Sequence, residues 1–229
     1  MHNFVGNGSF LWTNMLRWKH GIDTGEEAAI MSRVITISRE FGSGGREVGF
    51  RLAEKLGIPF YDKEIISMAA EDTNISEEVF HSHDEVIGKK ERIDHDYVSV
   101  DPFSLYEVPV SDQVFMAQSQ IIKKLAQEGP CVIIGRCSDI LVEDGFHVFI
   151  CAGMKKRVER MLALEPQETA KKMENRMRQI DQKRRDYYQY YSGNEWGNPR
   201  NYHLSLNSGK LGIEKCVDMI LESLKLYEQ

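Results

Sequence analysis

Three stretches of this 229-residue chain carry side chains able to work on an anion. The first is the turn Phe41-Gly42-Ser43-Gly44-Gly45-Arg46. The second is the step Gly135-Arg136, with Asp139 three residues on. The third is a run of cations ending in Lys183-Arg184-Arg185. A glycine-rich turn lets the backbone approach a ligand closely, and a helix that starts on it offers unpaired N–H groups and a positive dipole end. Arginine grips phosphate through two parallel N–H bonds. Together these residues point to chemistry on phosphates.

The first turn departs from the usual phosphate-binding pattern G-x-x-x-x-G-K-[ST], whose lysine reaches the β- and γ-phosphates and whose hydroxyl holds magnesium. With the second glycine of that pattern on Gly44, its first glycine falls on Arg39, its lysine on Gly45 and its hydroxyl on Arg46. The glycine cradle remains and both chemical side chains are replaced. Arg46 is the candidate for the missing charge, and Ser38 or Ser43 for the hydroxyl. The plain alternative is a strand–helix turn with no ligand.

The elements that must position these residues are legible around them. Val34–Ile37 is apolar and β-branched without alternation, the mark of a parallel strand covered on both faces. Val48, Leu52 and Leu56 then recur at helical spacing, stopped by Gly57 and Pro59. Ile58–Tyr61 reads as a short strand, after which Asp62 is expected to cap a helix over Lys63–Ala70. Ser76 opens a further helix within 71–96, where nine Asp/Glu face three Lys/Arg, a composition that reads as a solvated acidic face. Tyr97–Pro109 reads as loop, and Ser111 is expected to cap a helix that ends at Gly129-Pro130. Cys131–Ile134 is a buried strand, so Arg136 leaves the carboxyl edge of the sheet, where ligands of open α/β sheets bind. His147–Ala152 is the next strand and Met154–Leu164 the next helix.

Between Lys155 and Asp186 lie eleven Lys/Arg and six Asp/Glu, although the whole chain carries −6. Ala170, Met173, Met177 and Ile180 form an apolar seam that continues onto Arg184, Tyr187 and Tyr191. A cation on an inward phase calls for something anionic opposite it. The segment therefore reads as a lid whose cations close over phosphates and exclude water. The alternative is a solvated basic helix. The aromatic crowd from Tyr187 to Tyr202 suits hydrophobic packing or a subunit contact better than base stacking. Tyr202–Asn207 alternates as a last strand, and Gly212–Tyr227 is a last amphipathic helix.

Composition narrows the class. With 41% hydrophobic residues the chain can bury the core of one α/β domain, and its acidic balance disfavours a general nucleic-acid coat. No apolar run is long enough to span a membrane. Cys131, Cys137, Cys151 and Cys216 lack metal or redox spacing and read as reduced thiols of a cytoplasmic protein. His81-Ser82-His83-Asp84 has metal-ligand types, but residues two apart on a helix point in different directions, so no metal site is expected. Residues 1–32 stand apart as an N-terminal extension, either upstream of a natural start at Met31 or a docking arm for the body or a partner subunit.

With these residues in place, the chain from about Arg33 to its C-terminus resembles the cytidylate kinase-like family. Ile35–Gly49, Ile58–Asp62, Val132–Asp139 with Phe149–Ala152 and Arg157–Arg160, and Asn207–Ile220 carry the likeness. The resemblance implies a three-layer α/β/α nucleoside-triphosphatase fold with a five-stranded parallel sheet of order 2-3-1-4-5. It also implies an acceptor-side insert over 62–110 and a lid over 166–200. Further implied are ATP, with Mg2+ carried on its phosphates, and transfer of the γ-phosphoryl to a nucleoside monophosphate or other small acceptor. Gly42, Ser43, Gly44, Gly45 and Arg46 would hold the donor phosphates, and Asp62, Arg136 and Asp139 the acceptor. Arg46, Lys183, Arg184 and Arg185 would meet the transition-state charge. Departures are concrete: the loop lysine is Gly45, Asp62-Lys63-Glu64-Ile65-Ile66 replaces an acceptor-gripping arginine motif, and the Arg-Asp repeats of the lid shrink to Arg184-Arg185-Asp186. Two other classes stay open, a nucleotide sensor without transfer and an anion or nucleic-acid binder using the basic 155–185 helix.

Overall fold

The computed structural model of the chain describes residues 33–73, 75–85 and 109–227. The expected extension 1–32, and all but the last residue of the expected loop Tyr97–Pro109, lie outside the described residues. The rest is one parallel sheet with helices on both faces. Its strands are β1 (Ile35–Arg39), β2 (Phe60–Tyr61), β3 (Val132–Ile134), β4 (Phe146–Cys151) and β5 (Leu204–Asn207), in the order β2-β3-β1-β4-β5. All four pairings are parallel, with Ile35 opposite Val132 on one side and Phe146 on the other.

The unalternating β-branched runs have the two-sided burial they imply. Ile35, Ile37, Ile134 and Ile150 pack under α1 (Gly45–Leu56) and α9 (Ile213–Tyr227), against Val48, Leu52, Val217, Ile220 and Leu224. On the opposite face Val34, Cys131 and Ile133 meet α2 (Glu64–Asp72), α3 (Glu77–His83) and α4 (Val110–Glu128) through Ile65, Phe80, Val114 and Ile122. A fully buried leucine or isoleucine of this kind contributes on the order of 2 kcal/mol. Helix α1 ends where the sequence says it should, with Gly57 in the left-handed region and its N–H on the Ala53 and Glu54 carbonyls.

Two expected caps are corrected. Helix α2 begins at Glu64 with no side-chain cap, because Asp62 is drawn into ion pairs with Arg46 and Arg136; Glu64 instead accepts from the Asp62 N–H. Helix α4 begins at Val110 after Pro109, and Ser111 is buried inside its first turn. Ser76 does cap α3, accepting from the Val79 N–H.

The remaining helices are α5 (Ser138–Leu141), α6 (Met154–Leu164), α7 (Ala170–Ser192) and α8 (Ser208–Leu211), the last split from α9 by Gly212 at φ 84°. Helix α7 is the expected lid segment, capped by Thr169 and stopped by left-handed Gly193. Its inward residues are Met173, Met177, Asp181, Tyr187 and Tyr188. The expected seam needs correcting at both ends: Ala170 is exposed, Ile180 only half-buried, and Asp181 takes the inward place after Met177. The aromatic crowd packs, with Tyr191 stacked on Phe115 at 3.8 Å between centroids and Trp196 edge-on to Phe149 at 5.3 Å. The four cysteines are free, and Cys131, Cys137 and Cys216 are buried. Among the described residues no helix is long and apolar enough to cross a membrane.

Candidate functional site

A parallel sheet directs every strand's carboxyl end to one edge. That edge gathers Arg39 from β1, Asp62 after β2, Gly135-Arg136 after β3 and Ala152 after β4. Helix α7 crosses it, and the Asp84–Glu85 turn that closes α3 reaches the same place.

The glycine loop joins β1 to α1. Gly42 and Gly44 sit at φ 73° and 80°, the left-handed region that favours glycine. Side chains take three successive carbonyls: Arg157 Nε donates to Phe41 O at 2.7 Å, Arg160 Nη1 to Gly42 O at 3.0 Å, and the Ser208 hydroxyl to Ser43 O. Peptides are planar and trans, so fixing those carbonyls turns the N–H groups of Gly42 and Gly44 the opposite way. The twelve-residue helix α1 starts on Gly44, which has no side chain to cap it. These are the properties of an anion cradle.

Gly45 explains the missing lysine. A β-carbon there would stand 2.5 Å from the Arg39 β-carbon and 3.2 Å from that of Ile150, so this loop conformation has room for glycine alone. Of the two candidate hydroxyls, Ser43 is fully buried and accepts from the Gly45 N–H at 3.3 Å, and Ser38 is buried beside Arg39 at the carboxyl edge. Arg46 is on the open side, its side chain 60% exposed, with Nε on Asp62 Oδ2 at 2.7 Å.

Asp181, which the sequence did not single out, locks the loop to α7. Its Oδ1 accepts from the Phe41 N–H at 2.8 Å and its Oδ2 pairs with buried Arg157. Arg157 also faces Glu40 at 3.4 Å, and Glu40 accepts from the Ala152 N–H at 3.0 Å.

Arg136 is buried at the carboxyl edge of β3 and in the left-handed region at φ 55°. Its fork is fully engaged: Nε and Nη2 go to the two Asp84 carboxylate oxygens at 2.8 and 2.7 Å, and Nη1 goes to Asp62 O at 2.7 Å. Glu85 sits beside it. Arg39 Nη1 donates to Glu85 Oε1 at 2.6 Å and Arg184 Nε to Oε2 at 3.0 Å. Arg184 also reaches the Arg39 carbonyl at 3.1 Å. Burial alone would raise the Glu85 pKa; Arg39, Arg184 and Arg136 outweigh it and hold the carboxyl well below the usual carboxylate range. Burial works against the charged Arg136, yet Asp84, Glu85 and Asp62 raise its pKa overall. For Arg184 burial and the nearby Arg39 win, and its pKa is lowered.

Of the expected site residues, the structure brings together Gly42–Arg46, Asp62, Arg136 and Arg184. Lys183 and Arg185 are exposed on α7, with Arg185 lying 5.6 Å over the Trp196 ring. Asp139 is near in the fold but turned to α7, accepting from Tyr188 Oη at 2.6 Å rather than from Arg136. Burial raises its pKa to about 6, against the lowering effect of the Tyr188 bond. The His81–Asp84 group separates: His83 bonds the Val79 carbonyl, while Asp84 serves Arg136. Among the described residues no group of three or more His, Cys, Asp or Glu is placed to hold a metal.

Comparison with known proteins places this arrangement. Residues 34–210 match the model of the cytidylate kinase-like family, well over half of the chain. The chain belongs to that family. No curated protein matches the sequence. Among solved structures, an uncharacterized protein from Eubacterium ventriosum is 24% identical with a TM-score of 0.61, over 84% of this chain and 98% of that one. A shikimate kinase from Acinetobacter baumannii, in complex with shikimate, is 13% identical with a TM-score of 0.52, over 88% and 98%. A gluconokinase from Sinorhizobium meliloti is 15% identical with a TM-score of 0.51, over 86% and 94%. At such identities the likeness is one of fold, the three-layer fold of phosphate-loop kinases.

The family's glycine loop was visible in the sequence; the partners of its arginines were not. Asp181 had a faint signal, four residues after Met177 on the inward phase of α7. Asp84 and Glu85 had none, because they follow an exposed helix in an acidic stretch.

Proposed function

We propose that this member of the cytidylate kinase-like family is an ATP-dependent phosphotransferase acting on a small acceptor, a nucleoside monophosphate or another phosphorylatable metabolite. The observation that carries this reading is the pairing, on one sheet edge, of a glycine-loop helix start with buried guanidinia. Phosphoryl transfer asks mainly for positioning and charge neutralisation, which such an edge can supply. The loop amides and Arg46 would hold the donor phosphates, with magnesium carried on those phosphates. Asp62 stands between Arg46 and Arg136, suited to orient the acceptor. Arg184, the inward cation of the lid, would meet the charge of the transferred group, with Lys183 and Arg185 supporting it from the outer face.

A second reading, a nucleotide sensor without transfer, draws support from Gly45, where no lysine fits. The third, an anion or nucleic-acid binder, is supported less, because outer cations such as Lys156, Arg176 and Arg178 are paired with Glu159, Glu165 and Glu174.

The test is ADP release with Mg-ATP against a panel of nucleoside monophosphates and small hydroxylated metabolites. Turnover with one acceptor, reduced in Arg136→Ala, is the expected outcome. Silence across the panel, with ATP still raising the melting temperature, would replace the kinase with the sensor.

A further inference from the structure

The carboxyl edge is already filled by the protein's own carboxylates. Glu85 lies between Arg39 and Arg184, and Asp84 holds the fork of Arg136. What remains between Ser38, Arg39, Glu85, Gly135, Arg136 and Arg184 is a cavity of about 10 Å³, room for at most one water. Small-molecule sites run to several hundred Å³. An acceptor can enter only if something leaves.

The Asp84–Glu85 turn is the piece built to leave. Glu85 holds φ 53°, a conformation that side chains other than glycine rarely adopt. Helix α3 before it has only seven residues and one buried side chain, Phe80. Around the turn, buried Gln118 Oε1 and Tyr187 Oη have no hydrogen-bond partner, although Gln118 Nε2 does reach Asp84 Oδ1 at 3.1 Å. The turn therefore satisfies the arginines, while Tyr187, which lines the cavity, and Gln118, which contacts Asp84, each keep an unpaired oxygen.

We propose that the Asp84–Glu85 turn is a built-in anionic plug, which occupies the Arg39–Arg136–Arg184 cluster and is displaced when a phosphate-monoester dianion binds there. The inference rests on the reading of this edge as the acceptor side and adds the class of group the acceptor carries. Two carboxylates leave and two charges arrive, so the buried guanidinia stay balanced. A monocarboxylate would leave one of them unmatched. Because the plug is tethered, it competes at high effective concentration, and the apparent affinity for the ligand falls with the fraction of open protein.

Inorganic phosphate is the probe, titrated calorimetrically into the full chain and followed by hydrogen exchange. In wild type, phosphate should speed amide exchange over Glu77–His83. Glu85→Gln should bind phosphate on the order of ten-fold more tightly, since a weakened plug opens more often. The gain should vanish in Glu85→Gln/Arg39→Ala, which separates this cluster from the glycine loop, and acetate should gain less than phosphate. A folded Glu85→Gln with wild-type phosphate affinity, a gain that survives Arg39→Ala, or an equal gain for acetate would overturn the proposal. Should Glu85→Gln not fold, unchanged exchange of Glu77–His83 in wild type at saturating phosphate would do the same. None of these readouts uses turnover, so absence of kinase activity and absence of a plug are told apart.

Discussion

Arg136 and Asp84 meet as a two-point pair, Nε to Oδ1 at 2.8 Å and Nη2 to Oδ2 at 2.7 Å, while the third nitrogen of the same guanidinium holds the Asp62 carbonyl. One side chain at the end of β3 thus ties down both the segment after β2 and the turn after α3.

Arg136→Ala should cost about 3 kcal/mol of stability, because Asp84 is left partly buried without its cation. Arg136→Lys should cost less yet not restore wild type, since an ammonium cannot serve Asp84 and the Asp62 carbonyl in the same planar geometry. Urea denaturation at neutral pH measures both. In an active preparation the acceptor KM should rise more than kcat falls.

Gly45→Lys, which restores the usual loop lysine on paper, should damage the protein. Its β-carbon would stand 2.5 Å from that of Arg39, so either the loop or the end of β1 must shift. A loss of about 1–3 kcal/mol is expected from such overpacking, with weaker rather than stronger ATP binding. A stable Gly45→Lys variant with improved ATP affinity would contradict the account of the loop.

Asp181→Ala should lower the melting temperature strongly, as it leaves buried Arg157 and the Phe41 N–H without their shared partner, at about 3 kcal/mol. Arg176→Ala, on the exposed outer face of the same helix, should change stability by less than about 0.5 kcal/mol. Thermal unfolding of the two variants side by side reads the difference. A loosened loop should also raise the KM for ATP in Asp181→Ala.

Two buried groups make opposite contributions to acid stability. Burial and the neighbouring His203 hold the His147 pKa down at about 4, so the unfolded chain binds the extra proton first and stability falls as pH drops from about 6.5 to about 4. His203, itself lowered by burial, adds to this loss. Asp139, raised to about 6, acts the other way: its contribution is full below the unfolded value near 4 and is lost as pH rises through about 6. Asp139→Asn should therefore be more stable than wild type at neutral pH and lose stability more steeply between pH 6 and 4. Denaturation midpoints across that window test the sign.

Arg184→Ala should depress kcat more than KM, as expected of a cation that meets charge developing in transfer. Lys183→Ala and Arg185→Ala, at exposed positions of the same helix, should have smaller effects. Parallel steady-state kinetics of the three variants would show whether the inward position decides.

The strands, the glycine loop and the helix end at Gly57 were legible in the sequence, because they follow from local patterns: β-branched runs with no alternation, apolar side chains at helical spacing, and a residue that tolerates left-handed backbone. The sequence also placed Arg136 at the carboxyl edge and Arg184 on an inward phase. It could not say what those arginines face. Asp181 bonds Phe41 across 140 positions and Glu85 bonds Arg39 across 46, and nothing local to either carboxylate encodes a partner that distant. The caps expected from Asp62 and Ser111 failed for the same reason. A buried guanidinium or a packed first turn offers a side chain more than an exposed backbone N–H does, and only the tertiary structure brings that choice into reach.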